Sequence, residues 1–181
     1  MLSEFAKSTN KALLNIKPVM LESIFFPMPT PISASKKGDA RYVGNGGGID
    51  ILARTGTGGQ YGTFLCVIEV KDENNRKEPP AIVIKQAIKY ATFVRELLRS
   101  DARESWWRLF GFGGAIPKKL LIHAICAMPD DIIDMDFAGK IIEIEQDEIR
   151  LDYIYFKAQK EDKNIIESVI TSLPYGRQSE A

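Results

Sequence analysis

The chain has 181 residues, 45% of them hydrophobic and 27% charged, with 24 basic against 24 acidic side chains and a formal net charge of zero. That is enough apolar material for one sizeable core but a tight fit for two, so a single domain over residues 1–181 is expected. Zero net charge excludes capture of a polyanion through a global field and leaves local patches as the means of binding one.

The opening "MLSEFAKSTNKALL" lacks the basic start and unbroken apolar core of a secretory signal. No later run approaches the roughly 18 apolar residues of a membrane helix. A soluble, cytoplasmic protein with no membrane partner is therefore expected. Residues 2–26 carry helix-compatible patterning, with Pro18 suited to open a second helix, "PVMLESIFF". The Pro-, Ser- and Gly-rich "PMPTPISASKKGDARYVGNGGG" reads as a long loop. Two β-branched and aliphatic runs follow, Ile49 to Ala53 and Phe64 to Val70, joined by "RTGTGGQYGT", whose glycines suit a hairpin. After the polar "DENNRKEPP", Ile84, Ile88, Ala91, Val94 and Leu98 are spaced for the buried stripe of a helix from Ala81 to about Ser100, with Glu78 and Pro80 suited to its start. "RESWWRLFGFGGAIP" reads as a short amphipathic piece and a Gly-rich connection, "KKLLIHAICAMP" as a strand, "KIIEIEQDEIRLDYIYFKA" as one or two strands, and "NIIESVITSLP" as a closing helix. This order predicts an α/β sandwich with a mixed sheet covered on both faces.

Charges interrupt the hairpin at defined places. If it is symmetric about the Gly59–Gln60 bond, partners have numbers summing to 119, and Asp50 lies opposite Glu69 on a shared face. Side chains alternate along a strand, so Glu69 and Lys71 point one way, while Phe64, Cys66, Ile68 and Val70, joined by Ile49, Ile51 and Ala53, form a wholly apolar second face. Two carboxylates held ~5 Å apart repel unless a divalent cation or a shared proton relieves them. Magnesium is a hard ion that takes a few carboxylates plus water and phosphate oxygens, and a lysine beside it can orient water or neutralise charge growing on a phosphate. The plainer reading makes Asp50 a strand-end turn residue and Glu69 and Lys71 the start of a solvated charged loop. A further reading, a plain α/β protein without a phosphate substrate, predicts Asp50 and Glu69 on opposite faces.

Asp50, an 18-residue spacer and then Glu69-Val70-Lys71 resemble the PD-(D/E)XK, or restriction-endonuclease-like, nuclease signature, although Gly48-Ile49 stands where many members have proline. Gln86 and Tyr90, four apart in "KQAIKY", are similar to the Gln-x-x-x-Tyr element of its RecB-like exonuclease branch. The resemblance covers mainly residues 44–100. It implies a three-layer sandwich with a central four-stranded mixed sheet flanked by helices, and Mg2+-dependent hydrolysis of phosphodiester bonds in DNA, with Mn2+ as a substitute. It further implies metal ligation by Asp50, Glu69 and the Val70 carbonyl, and Lys71 beside the attacking water. Glu22 is a candidate additional acid, ahead of Glu4. Oligomeric state stays open, a homodimer being suited to cutting two strands.

Lys85 and Lys89 flank Gln86 and Tyr90 and could contact a phosphate backbone, with Lys36, Lys37, Arg41 and Arg54 lining the approach. Arg95, Arg99 and Arg103 repeat a four-residue spacing further on and read as a solvated face. Cys66 and Cys126 read as buried free thiols, two cysteines being too few for the iron–sulfur clusters of some relatives. His123, the only histidine, sits in "LLIHAICA" and reads as a satisfied core residue. "GNGGG" and "GTGGQYGT" lack the Gly-Lys-Ser/Thr ending of a phosphate loop. Trp106 and Trp107 read as anchors of the core or of an oligomer contact, with base stacking as the alternative. The rival to a nuclease is the same fold as a catalytically inactive nucleic-acid-binding or protein-interaction subunit of a repair, restriction or mobile-element system.

Overall fold

In the hairpin, β-branched and aliphatic residues in near-continuous runs favour strands that bury both faces. Ile51–Thr55 (β6) and Leu65–Val70 (β7) pair antiparallel, with Ile51 opposite Ile68, Leu52 opposite Val67, Ala53 opposite Cys66 and Arg54 opposite Leu65. Every one of these pairs sums to 119, the register expected from the turn. The computed structural model describes residues 16–18, 28–34, 41–42, 47–55, 64–71, 78–159, 161–162 and 165–174, with backbone alone for 16–18, 41–42 and 55.

The hairpin belongs to a mixed sheet whose described strands run β1-β6-β7-β8-β10-β11, with β9 also on β10. Here β1 is Ile16–Pro18, β8 is Leu121–Pro129, β9 is Ile141–Ile144, β10 is Asp147–Ala158 and β11 is Ile166–Thr171. The central strands β7, β8 and β10 are parallel, and the outer pairings are antiparallel. Between β7 and β8 the chain forms α1 (Pro80–Arg99) and α2 (Arg103–Leu109). Pro80 opens α1 where its missing N–H is no loss. Val83, Ile84, Ala87, Ala91, Val94 and Leu98 make its buried stripe; Ile88 is only partly buried.

That stripe packs on one face of the sheet against Leu52, Leu65, Val67, Ile122, Ala124 and Tyr153, joined by Trp107 and Phe110 of the α2 region. Trp107 is thus a core anchor, stacked on Phe112 at 4.1 Å. The opposite face carries a second cluster of Ala53, Cys66, Ile68, Ile125, Ala127, Ile154 and Leu173. Both described helices lie on the first face, so what is established is an α/β fold with a mixed sheet.

Five expectations are corrected. Ile16–Pro18, expected to be helical, pairs antiparallel with β6; the rest of the proposed amino-terminal helices, including Glu4 and Glu22, lies outside the described residues. "NIIESVITSLP" contributes β11 and no helix, because Ile166, Val169, Ile170 and Thr171 are β-branched and the second half of β10 offers an open edge. The long loop holds two small ladders, Met28–Pro29 (β2) with Gly48–Ile49 (β5), and Ile32–Ser33 (β3) with Arg41–Tyr42 (β4). Ile49 joins the first core and not the second face, because the chain bends at Asp50, between β5 and β6.

The fifth concerns the arginines of α1. Arg95 is buried, donating to Asp147 at 2.9 Å and to Glu96 and Glu145, and Arg99 donates to Asp147 at 2.8 Å. Their planar forks meet a buried carboxylate that charge spacing along the helix does not reveal. The free cysteines are buried, as expected. So is His123, whose Nδ1 lies 2.9 Å from Asp152 Oδ2.

Candidate active site

The polar residues of the hairpin gather at the carboxyl end of β7, beside the parallel strand β8, the end at which open α/β sheets usually place their sites. Glu69 and Lys71 share the parity of Leu65 and Val67 and therefore face α1. Asp50, at the bend, directs Oδ2 to the Val70 N–H at 2.8 Å. The ladder ends at the Ile51–Ile68 pair, so the expected Asp50–Glu69 pair is not part of it; this bond instead fixes the first acid against the Glu69-Val70-Lys71 segment. The Lys71 N–H donates to the Ala127 carbonyl at 2.8 Å, anchoring the same segment to β8.

Glu69 is buried, and Lys71 Nζ donates to its Oε1 at 3.0 Å. Its other oxygen, Oε2, is buried with no hydrogen-bond partner among the described residues. Burial, followed by the nearby charge of Asp50, pushes the Glu69 carboxyl up to about 7 despite the opposing pull of Lys71. A buried carboxylate oxygen left unpaired is costly, and a cation or a proton is what relieves it. For Lys71, burial acts against the charge, but Glu69 and Glu78 outweigh it and hold the ammonium above its ordinary value.

Gln86 is buried on α1 and accepts from Lys71 Nζ through Oε1 at 2.9 Å. Its Nε2 donates to Glu78 Oε2 at 3.2 Å, and Glu78 also lies 3.3 Å from Lys71 Nζ. Gln86 is thus a positioning residue for the lysine. Tyr90, one turn on, is buried, and its hydroxyl is hydrogen-bonded to the backbone of Ala34 and Gly48. A Cβ on Gly47 would lie 2.0 Å from that hydroxyl, so glycine is what lets the tyrosine approach. Because Gly48 opens β5 just before Asp50, Tyr90 holds in place the strand that delivers the first acid.

Asp50, Glu69, Lys71 and Gln86 are therefore brought together, with Tyr90 acting through the backbone. Lys85 is exposed on α1, and Lys89 donates to the Ala34 carbonyl at 3.4 Å. Arg54 lies at the turn end of β6, away from the acids, and its guanidinium donates to the Gly111 carbonyl. Lys36 and Lys37 lie outside the described residues. Glu78 was not among the expected site residues. Its signal in the sequence is its place two residues before Pro80 and eight before Gln86, close to two helical turns from the amide it contacts.

Cys126 is the β8 partner of Glu69, and burial, then the charge of Glu69, pushes its thiol up to about 12. It stays protonated and inert near neutral pH. Among the described residues no group of three or more His, Cys, Asp and Glu side chains is arranged to hold a metal ion. A cation here would rest on Asp50, Glu69, the Val70 carbonyl and water, a donor set suited to magnesium, which keeps several waters. The unpaired Glu69 Oε2 fits that role. No helix among the described residues is long and apolar enough to cross a membrane. Comparison with protein-family models, with curated proteins and with solved structures found no match to this chain.

Proposed function

We propose that the chain is a metal-dependent deoxyribonuclease of PD-(D/E)XK type, with the three-layer sandwich of that fold and the Gln-x-x-x-Tyr element of its RecB-like branch. The observation that carries the reading is the meeting of Asp50, the half-paired buried Glu69 and Lys71 at one strand end. Magnesium or manganese on Asp50, Glu69 and the Val70 carbonyl would supply Lewis-acid polarisation of a scissile phosphate and its water.

The protein's own groups do the rest. Lys71 presents an ammonium to negative charge growing on phosphorus-bound oxygens, where a buried site strengthens the interaction. Gln86 holds that ammonium in position, and Glu69 fixes it from the other side. Tyr90 keeps Asp50 in register through β5. Lys85, exposed on α1, and Lys89 would track the phosphate backbone.

The test is DNA cleavage with magnesium or manganese, comparing wild type with Asp50→Asn and Lys71→Ala. Each variant is expected to lose activity by at least two orders of magnitude, roughly the loss seen when one such electrostatic stabiliser is removed. Metal-dependent cleavage surviving both changes would sink the assignment. One observation favours the rival, a non-cleaving nucleic-acid-binding module: Lys71 Nζ already meets Glu69, Glu78 and Gln86. Calorimetry showing no magnesium or manganese binding, with DNA present, decides for that rival.

A further inference from the structure

Glu78 plays no part in the mechanism above, yet it touches two of its residues. Its Oε2 lies 3.3 Å from Lys71 Nζ and accepts from Gln86 Nε2 at 3.2 Å. Two donors from different elements converging on one oxygen describe an anion seat. The donors are set by the fold: the Lys71 side chain is 14% exposed and Gln86 3%, whereas the Glu78 side chain is 40% exposed. The donors are largely buried, whereas the occupant is partly open to solvent.

The orientation of the Gln86 amide follows from chemistry. Lys71 has donors only, so Oε1 must face it, and this turns the NH2 toward Glu78. At the helix start Pro79 and Pro80 have no N–H, the Ile82 and Val83 N–H groups donate to the Pro79 carbonyl, and no side chain among the described residues caps the helix. Among the described residues, the lysine and the glutamine are the contacts that hold Glu78 inward.

We infer that Lys71 Nζ and Gln86 Nε2 form a seat for a phosphate oxygen, and that Glu78 occupies it in the resting protein until a nucleic-acid phosphate displaces it. The identity of the displacing anion rests on the nuclease reading. With Glu78 inward, two carboxylates, Glu69 and Glu78, meet one ammonium, and the charge of Asp50 acts on Glu69 beside them. A further anion cannot join them, so it must exchange with the occupant. Glu78 thereby sets a threshold for DNA entry.

The experiment measures binding of a short fluorescein-labelled DNA by anisotropy in EDTA, for wild type, Glu78→Gln, Lys71→Ala and the double variant. Glutamine keeps the size of the occupant and an acceptor for both donors while removing its charge. Glu78→Gln is expected to bind DNA roughly 5- to 10-fold more tightly, a gain that shrinks as salt rises and vanishes in the Lys71→Ala background. Glu78→Ala serves as a second variant with the same expectation should the glutamine perturb folding.

Unchanged or weaker binding in both variants overturns the seat, as does a gain that persists without Lys71. Cleavage abolished by Asp50→Asn together with an affinity indifferent to residue 78 sinks the seat and spares the nuclease. Tighter binding in Glu78→Gln without metal-dependent cleavage does the reverse. Absence of DNA binding in every variant overturns both.

Discussion

Two buried carboxylates on the sheet lie toward opposite ends of the same helix and are treated in opposite ways. Near the end of α1, Asp147 accepts from Arg95, from Arg99 and from the Leu120 N–H. Burial works against its charge, but these bonds, Arg99 first, hold the carboxyl below its ordinary value. Near the start of α1, Glu69 receives one ammonium and leaves an oxygen empty, and burial with Asp50 pushes it up to about 7. A fully paired buried acid tethers elements; an under-paired one keeps a capacity for something else. The difference marks the second as the candidate functional residue.

The largest expected effect breaks the tethered side. Asp147→Ala leaves two arginines without their shared acceptor, and urea denaturation is expected to show a loss of about 3–5 kcal/mol. Glu69→Gln is expected to do the opposite at pH 8. It removes a poorly paired buried charge and leaves the protein equally stable or roughly 1–3 kcal/mol more so, while abolishing manganese binding in calorimetry. A large destabilisation by Glu69→Gln would make the two acids alike and dissolve the contrast.

The pH dependence separates them by sign. The folded Glu69 holds its proton up to about 7 against an ordinary value of 4.5, so between these limits the native state binds more protons than the unfolded chain. Its contribution therefore falls as pH rises through that window, by roughly 3–4 kcal/mol at about 1.4 kcal/mol per unit. Asp147 is lowered, so the stability it adds is present above its unfolded value of 3.8 and is lost as pH falls through its folded one. Denaturation in EDTA between pH 5 and 8 is expected to show the first decline in wild type and a flat profile in Glu69→Gln. Added manganese at pH 8 is expected to restore the loss in wild type alone.

The smallest effects sharpen how the first acid is held. Tyr90→Phe removes the hydroxyl bonded to Ala34 and Gly48, an expected loss of about 1 kcal/mol. Gly47→Ala places a Cβ 2.0 Å from that hydroxyl and is expected to destabilise more. Combining the two is expected to recover part of the loss, measured as a coupling energy in a double-mutant cycle. Strict additivity would show that Tyr90 does not hold β5.

Much of this was legible in the residues themselves. The pairing sum of 119 read from the glycine-rich stretch matches the four observed pairs of β6 and β7, and Asp50, one residue before the first of them, meets the Val70 N–H at the end of β7. Helical spacing with a first-turn proline located α1 and placed Gln86 and Tyr90 on one shared face, which the structure turns inward. The apolar runs around Cys66, Cys126 and His123 foretold their burial.

Other features depended on partners distant in the chain. Ile166–Thr171 has the composition of either a strand or a short amphipathic helix, and only the open edge of β10 selects the strand. Arg95 looks like a surface charge until Asp147, 52 residues on, meets it in the interior. Glu78 looks like a helix-start acid until Lys71 and Gln86 turn it inward. Local pattern determines which way a side chain faces along its own element, whereas the pairing of a charge depends on what a different element places within about 3 Å of it. That pairing separates the tethered Asp147 from the half-empty Glu69, and it exists only once the sheet and α1 have closed on each other.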